Sequence, residues 1–149
     1  MPSYKSYCWS LGTTSFRMVE FNRKIERQLE LLRDFWSKPA FVNQQWSENE
    51  PLQEQYYNHL KENDFIEGEA PRKAKDAREK TSGLVDLGLI DDERRLTEAG
   101  NALLQIALNA DFNTNNLLQI PADSYLYLKQ LLKVYSPIDN RYVRPYIVL

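Results

Sequence analysis

APRKAKDAREKTSGLVDLGLIDDERRLTEAGNALLQIA, residues 70–107, is the stretch that decides the predicted fold. Numbered as an α-helix, its first part gathers small and apolar residues on one side, namely Ala74, Ala77, Thr81, Leu84, Val85 and Gly88. The other side is polar and carries Arg72, Lys75, Asp76, Glu79 and Ser82. We therefore expect one face of this helix to be buried and the other to meet solvent or a partner.

The residues after this helix predict its end and the next two elements. Gly88 tolerates the left-handed backbone that commonly ends a helix, and the next two residues, Leu89 and Ile90, favour an extended segment. An acidic turn at 91–93 leads to a returning segment at 94–96. Thr97 is a good N-cap for a second helix, because its hydroxyl can accept a backbone amide. Helix, hairpin wing and helix is the layout of a winged helix.

The predicted fold class is therefore mainly α: a winged helix, meaning a helix-turn-helix with a short β-ribbon wing, plus flanking helices. Apolar residues at three- and four-residue spacing predict one flanking helix over 21–36 and a second after Pro51. A third is predicted over 125–135, with Tyr125, Leu128, Leu132 and Tyr135 on one side and Leu131 and Val134 widening that side. The basic residues of the 21–36 helix alternate with acidic ones, a pattern typical of a solvated face.

This organisation divides the chain into three segments. Residues 1–66 are predicted to form an N-terminal arm and helices that pack on the winged helix, and residues 67–110 its core. Residues 111–149 are expected to hold a further helix and the start of a following subdomain. Because the sequence stops on an apolar segment without a polar tail, we expect the natural chain to continue past Leu149.

Composition narrows the function classes. The 149 residues have a net charge of −2, which argues against a general polyanion binder. Residues 72–80, however, hold five basic and two acidic residues, a local island of positive charge. No apolar run is long enough for a membrane span, and the N-terminus lacks an apolar signal region, so a cytoplasmic protein is predicted. Cys8 and His59 are single residues of their types, so no disulfide and no metal site is expected.

The N-terminal segment 7–17 allows two interpretations. Trp9 and Phe16 favour an anchor that packs on the core. Thr14 and Arg17 are candidate phosphate contacts in a loop that faces DNA.

Several segments together resemble a known family. They are WSLGTTSFR (9–17), FNRKIERQLELLRDFW (21–36), AREKTSGLVDLGLID (77–91), LTEAG (96–100), YLKQLLKVYSP (127–137) and RPYIVL (144–149). In this order they resemble the N-terminal DNA-recognition region of AlwI-type type IIS restriction endonucleases and related nicking endonucleases. The resemblance implies a FokI-like architecture, with winged-helix DNA-reading subdomains first and a Mg²⁺-dependent nuclease domain of the PD-(D/E)xK kind later.

The signature of that nuclease domain is missing from the sequence. Two carboxylates and a lysine hold the metal and orient the attacking hydroxide in such enzymes. None of the aspartates and glutamates here is followed two positions later by lysine. The chain is thus predicted to be a sequence-specific recognition module for double-stranded DNA without catalytic residues. Mg²⁺ is expected only for a nuclease domain of the full-length enzyme, and the expected partners are duplex DNA and further subdomains of the same polypeptide, with a monomer on an asymmetric site.

The resulting hypothesis places the helix 72–82 in the major groove, which is about as wide as a helix. Arg72 and Arg78 are expected at or near base edges, since their planar forks match the two acceptors of guanine. The remaining candidates are expected to contact phosphates or the neighbouring backbone and minor groove: Lys73, Lys75, Lys80 and Ser82 from the helix, and Arg94 and Arg95 from the wing.

Other interpretations stay open. The helix could simply be solvated, with salt bridges such as Asp76 to Lys80 at four-residue spacing. The protein could be an intact winged-helix transcription regulator that dimerises through its 125–135 helix on a palindrome. It could also be a protein-interaction module whose exposed surface binds an acidic partner.

Overall fold

A computed structural model describes residues 21–134, 136–138 and 141–144. This part of the chain is mainly α, as predicted. Its elements are α1 (Phe21–Ser37), α2 (Glu50–Glu62), α3 (Lys73–Asp86), α4 (Glu98–Asn109), α5 (Ala122–Lys133), β1 (Ser136–Ile138) and β2 (Arg141–Val143). The two strands form one antiparallel pair. No helix in the described ranges combines the length and the apolar character needed to cross a membrane.

The core is built first on α1 and α2. The apolar stripe predicted for α1 is buried at Ile25, Leu29 and Leu32. Phe35 stacks on Phe41 with ring centroids 4.5 Å apart, and other core aromatic rings surround it. The buried cluster includes residues of all five helices, so the three predicted segments share one core.

The end of α3 and the start of α4 lie where local sequence signals predict them. Gly88 adopts the left-handed conformation just after α3, with φ +67°. Thr97 is the N-cap of α4, and its hydroxyl accepts a hydrogen bond from the amide of Gly100 at 3.2 Å. Both features depend on neighbouring residues only, which is why the sequence reveals them.

The β-ribbon predicted between these helices is not confirmed. Only a single bridge, Ile90 with Leu96, joins its two sides. The five residues between them close a tight loop, in which Arg94 has a left-handed φ of 62° and the amide of Asp91 donates to the carbonyl of Arg95. The amide of Thr97 also donates to the carbonyl of Leu89 at 3.1 Å, but Thr97 is the N-cap of α4, so the pairing stops where the helix begins. The α2–α3 connection is also longer than the turn of about 3–4 residues in a helix-turn-helix, since it spans residues 63–72.

Helix α5 exists where expected but is rotated about its axis. Tyr127 and Gln130 are buried, and Leu131 and Val134 from the edge of the predicted stripe pack against the core, whereas Leu132 from its centre is exposed. The amide of Gln130 donates to the carbonyl of Leu87 at 2.9 Å, just past the end of α3. This bond satisfies a carbonyl at a helix end, and it turns a polar residue inward.

The close approach of α4 to the segment after α3 gives a first prediction. A Cβ at Gly100 would collide with the backbone carbonyl of Leu89, so Gly100→Ala should lower the free energy of unfolding by about 1–3 kcal/mol, although alanine favours helices. Urea denaturation measures the change. The exposed Gln105→Ala on the same helix is the control, and an equally stable Gly100→Ala protein would contradict this close packing of α4 on Leu89.

A second prediction concerns His59, which is 8% exposed and packs 5.7 Å from Phe35 between ring centroids. Burial lowers the pKa of this imidazole below 6.5, and the nearby positive charge of Lys38 lowers it further. The unfolded chain therefore binds a proton more readily than the folded one, so this residue makes stability fall as the pH drops below about 6.5.

Urea denaturation of wild type and His59→Gln at several pH values measures the effect. The variant should lose less stability than wild type on acidification. The pKa of Glu26 is raised, mainly by burial, and this shift acts in the opposite sense. Subtracting the variant's profile from that of wild type isolates the histidine, and identical profiles would exclude its role.

Candidate nucleic-acid interface

Helix α3 divides into the two faces that its sequence predicts. Ala77, Thr81 and Leu84 are at most 1% exposed and pack on the core. The side chains of Arg72 and Lys75 lie on the exposed side. The cations of α3 and its N-cap therefore form a ridge above an apolar underside. This cationic ridge consists of Arg72, Lys73, Lys75, Arg78 and Lys80.

The cations of this ridge are interleaved with carboxylates. Lys73 pairs with Glu69 at 2.9 Å, and Lys75 pairs with Glu79 at 3.4 Å. The interpretation of α3 as a solvated helix included a salt bridge from Asp76 to Lys80, and these groups lie 3.9 Å apart. Three of the five cations of residues 72–80, the lysines, therefore each lie beside a carboxylate, which reduces the positive charge of the ridge.

Arg72 differs from the other cations of the ridge. It occupies the N-cap position of α3, its side chain makes no capping bond, and it has no ion-pair partner among the described residues. The unpaired amides at a helix start carry partial positive charge, so Arg72 adds to a site that favours anions.

Arg78 lies on the flank of α3 that faces α2. Its Nη1 donates to the side-chain oxygen of Gln53 at 2.5 Å and lies 3.8 Å from a carboxylate oxygen of Glu50. One side of a surface groove of about 420 Å³ is lined by Arg72, Lys73, Lys75 and Arg78, and the other by Glu50 and Glu54. The structure thus brings four predicted site residues together, opposite two acidic ones.

Ser82 has a role within its own helix. Its hydroxyl donates to the backbone carbonyl of Glu79 at 2.9 Å, and its side chain is half-buried. The hydroxyl can still accept a hydrogen bond, but its proton is already used.

Arg94 and Arg95 turn toward the protein, away from the position expected of wing residues. The Nε of Arg94 donates to the hydroxyl of Thr81 at 3.0 Å, on the buried face of α3. Arg95 lies over the Trp36 ring, 4.2 Å from its centroid, and donates to the carbonyl of Val42. Burial lowers the pKa of the Arg94 guanidinium, although nearby acidic residues, Asp92 first, oppose this effect.

The other predicted contacts, Thr14 and Arg17, lie outside the described residues, as do Trp9 and Phe16. Among the described residues no group of histidine, cysteine, aspartate and glutamate could hold a metal ion.

Sequence reasoning missed Gln53, the buried partner of Arg78. The stripe predicted for α2 contains Leu52, Tyr56 and Leu60. Gln53 lies four residues before Tyr57 and seven before Leu60, and this register is also buried. The signal in the sequence was a polar residue at a position whose helical spacing places it on a buried side of α2.

Comparison with known proteins adds no relative. No family model, curated protein or solved structure matches the chain.

A third prediction tests whether Arg94 supports the fold. Arg94→Ala removes the bond to the Thr81 hydroxyl and the packing of the guanidinium against Trp46, whose ring centroid lies 5.7 Å away. The free energy of unfolding should fall by about 1–3 kcal/mol. Thermal denaturation measures it, with Arg72→Ala as a control that should change stability by less than about 0.5 kcal/mol. Equal stability of both variants would show that the Arg94 contacts contribute nothing.

Proposed function

We propose that this chain is a sequence-specific recognition module for double-stranded DNA that reads the duplex with α3. The module is of the kind that precedes the nuclease domain in type IIS restriction endonucleases. The observation that carries the proposal is the buried underside of α3, which leaves Arg72 and Lys75 on an exposed face. A helix presented in this way can enter the major groove, which is wide enough to admit an α-helix.

Each part of the ridge has a role in this proposal. Arg72 lies at the helix start, where backbone amides and the helix dipole attract phosphate or an electronegative base edge. Arg78 reads a base from the groove between α2 and α3. Lys73, Lys75 and Lys80 neutralise phosphates.

The carboxylate partners do not prevent such contacts. The pairs of Lys73 and Lys75 are solvent-exposed, with side chains 35% and 53% exposed. Exposed pairs contribute only about 0–1 kcal/mol, so a phosphate can replace a carboxylate at small cost. The proposal therefore requires binding that weakens steeply with salt, as phosphate neutralisation does.

The winged-helix assignment belongs to the same proposal. The loop 91–95 lies between the reading helix and α4 in chain order, where a wing would lie. The side chains of Arg94 and Arg95 in this loop contact other parts of the protein. In this proposal α3 therefore supplies the side chains that read DNA. Cleavage is assigned to a separate nuclease domain.

One observation favours a second candidate, a protein-interaction module. The ridge and groove hold Glu50, Glu54, Glu69, Asp76 and Glu79 among their cations. A mixed surface of this kind suits a protein partner of mixed charge. No duplex binding at low salt, where phosphate attraction is strongest, would favour this candidate.

The fourth prediction separates base reading from phosphate contact. Duplexes are enriched from a random pool with wild-type protein, and the selected and a random duplex are then titrated with Arg72→Ala and Lys75→Ala. Arg72→Ala should cost roughly 1–3 kcal/mol on the selected duplex and relax the preference at one base pair. Lys75→Ala should weaken both duplexes alike and reduce the salt slope by about one.

The matched control is Lys129→Ala, which removes a cation from α5 outside the ridge. It should leave both affinities unchanged. Equal losses from the two ridge variants on both duplexes would reject the division of roles. Failure of wild type to bind any duplex would reject the proposed function.

A further inference from the structure

The amide of Gln53 is held in one orientation at the α2–α3 interface. Gln53 is 2% exposed, and its Nε2 donates to the carbonyl of Trp46 at 2.9 Å. This bond leaves the side-chain oxygen toward Arg78, where it accepts from Nη1 at 2.5 Å. The reversed amide would set a donor against the guanidinium and an oxygen against the carbonyl oxygen of Trp46, so the orientation is determined.

The contact uses only one corner of the guanidinium. Both contacts of Arg78 across the groove, to Gln53 and to Glu50, involve Nη1. Nε and Nη2 make no hydrogen bond to the described residues and lie together on one edge of the planar group. Two parallel N–H groups on one edge match the O6 and N7 acceptors of guanine.

We propose that Gln53 is a positioning residue that anchors Nη1 of Arg78 and leaves its Nε–Nη2 edge available to a guanine. This inference rests on the proposed function. Anchoring removes rotamers before binding, so less side-chain entropy is lost when the base contact forms. Arg72, which has no such anchor, contributes less to base preference than Arg78.

The first measurement needs no DNA. Side-chain ¹⁵N NMR of the free protein should show slowed rotation about the Cζ–Nη1 bond of Arg78. Gln53→Met, which keeps the length of the side chain without its polar atoms, should abolish this slowing. Rotation at Arg72 should be fast in both proteins and serves as the internal reference.

The second measurement selects duplexes from a random pool. Arg78→Lys keeps the charge but lacks the two-donor edge, and Gln53→Met keeps Arg78 but frees it. Both should lose preference at the same G·C pair, roughly tenfold for Arg78→Lys, with affinity for random duplex within about twofold of wild type. Lys129→Gln controls for a change of charge elsewhere and should keep the preference.

The outcomes separate the positioning role from the proposed function. A folded Gln53→Met protein with the wild-type base preference overturns the positioning role. If Gln53→Met does not fold, the wild-type protein still decides: rotation about the Cζ–Nη1 bond of Arg78 as fast as rotation at Arg72 would overturn the positioning role. Slow rotation in a wild type that binds no duplex would overturn the proposed function and leave a purely structural contact.

Discussion

The rest of the structure depends on how the loop 91–95 is held against the end of α1 and the segment that follows it. The indole of Trp36 donates to the carbonyl of Arg94 at 2.8 Å, and the carboxylate of Glu93 accepts from the amide of Trp46. Hydrogen bonds, chiefly one from the Ser47 hydroxyl, lower the pKa of Glu93 and favour its charged form. Arg95 covers the Trp36 ring. These contacts join residues that lie about fifty positions or more apart in the sequence. They fix the end of α3 beside α1.

This arrangement determines which cations are left for a partner. Arg94 and Arg95 are adjacent cations between α3 and α4, yet their guanidinium groups contact the protein itself. The cations that remain on the proposed interface are those of α3, most of them beside a carboxylate. Any affinity for a polyanion then comes from the replacement of carboxylate partners by phosphates and from the fit of the helix to its partner. It does not come from an excess of positive charge. A chain with a net charge of −2 is consistent with that view.

Elements governed by local chemistry could be predicted. The end of α3 and the start of α4 follow from Gly88 and Thr97, and the stripe of α1 follows from its spacing. The rotation of α5 could not be predicted, because the bond from Gln130 to the Leu87 carbonyl connects residues 43 apart in sequence. Periodicity finds a helix, but the packing of neighbouring elements decides which side is buried.

By itself, the sequence determined that the chain is mainly helical, that α3 has an apolar and a cationic face, and where α3 ends and α4 begins. Capping, spacing and the conformational freedom of glycine act within a few residues, so they can be read along the chain. Only the tertiary structure decided that Arg94 and Arg95 are held within the protein, that Arg78 is anchored by Gln53 and that Arg72 has no ion-pair partner among the described residues. A guanidinium finds its partner wherever folding brings an acceptor, and here those acceptors include residues 25 and 53 positions away.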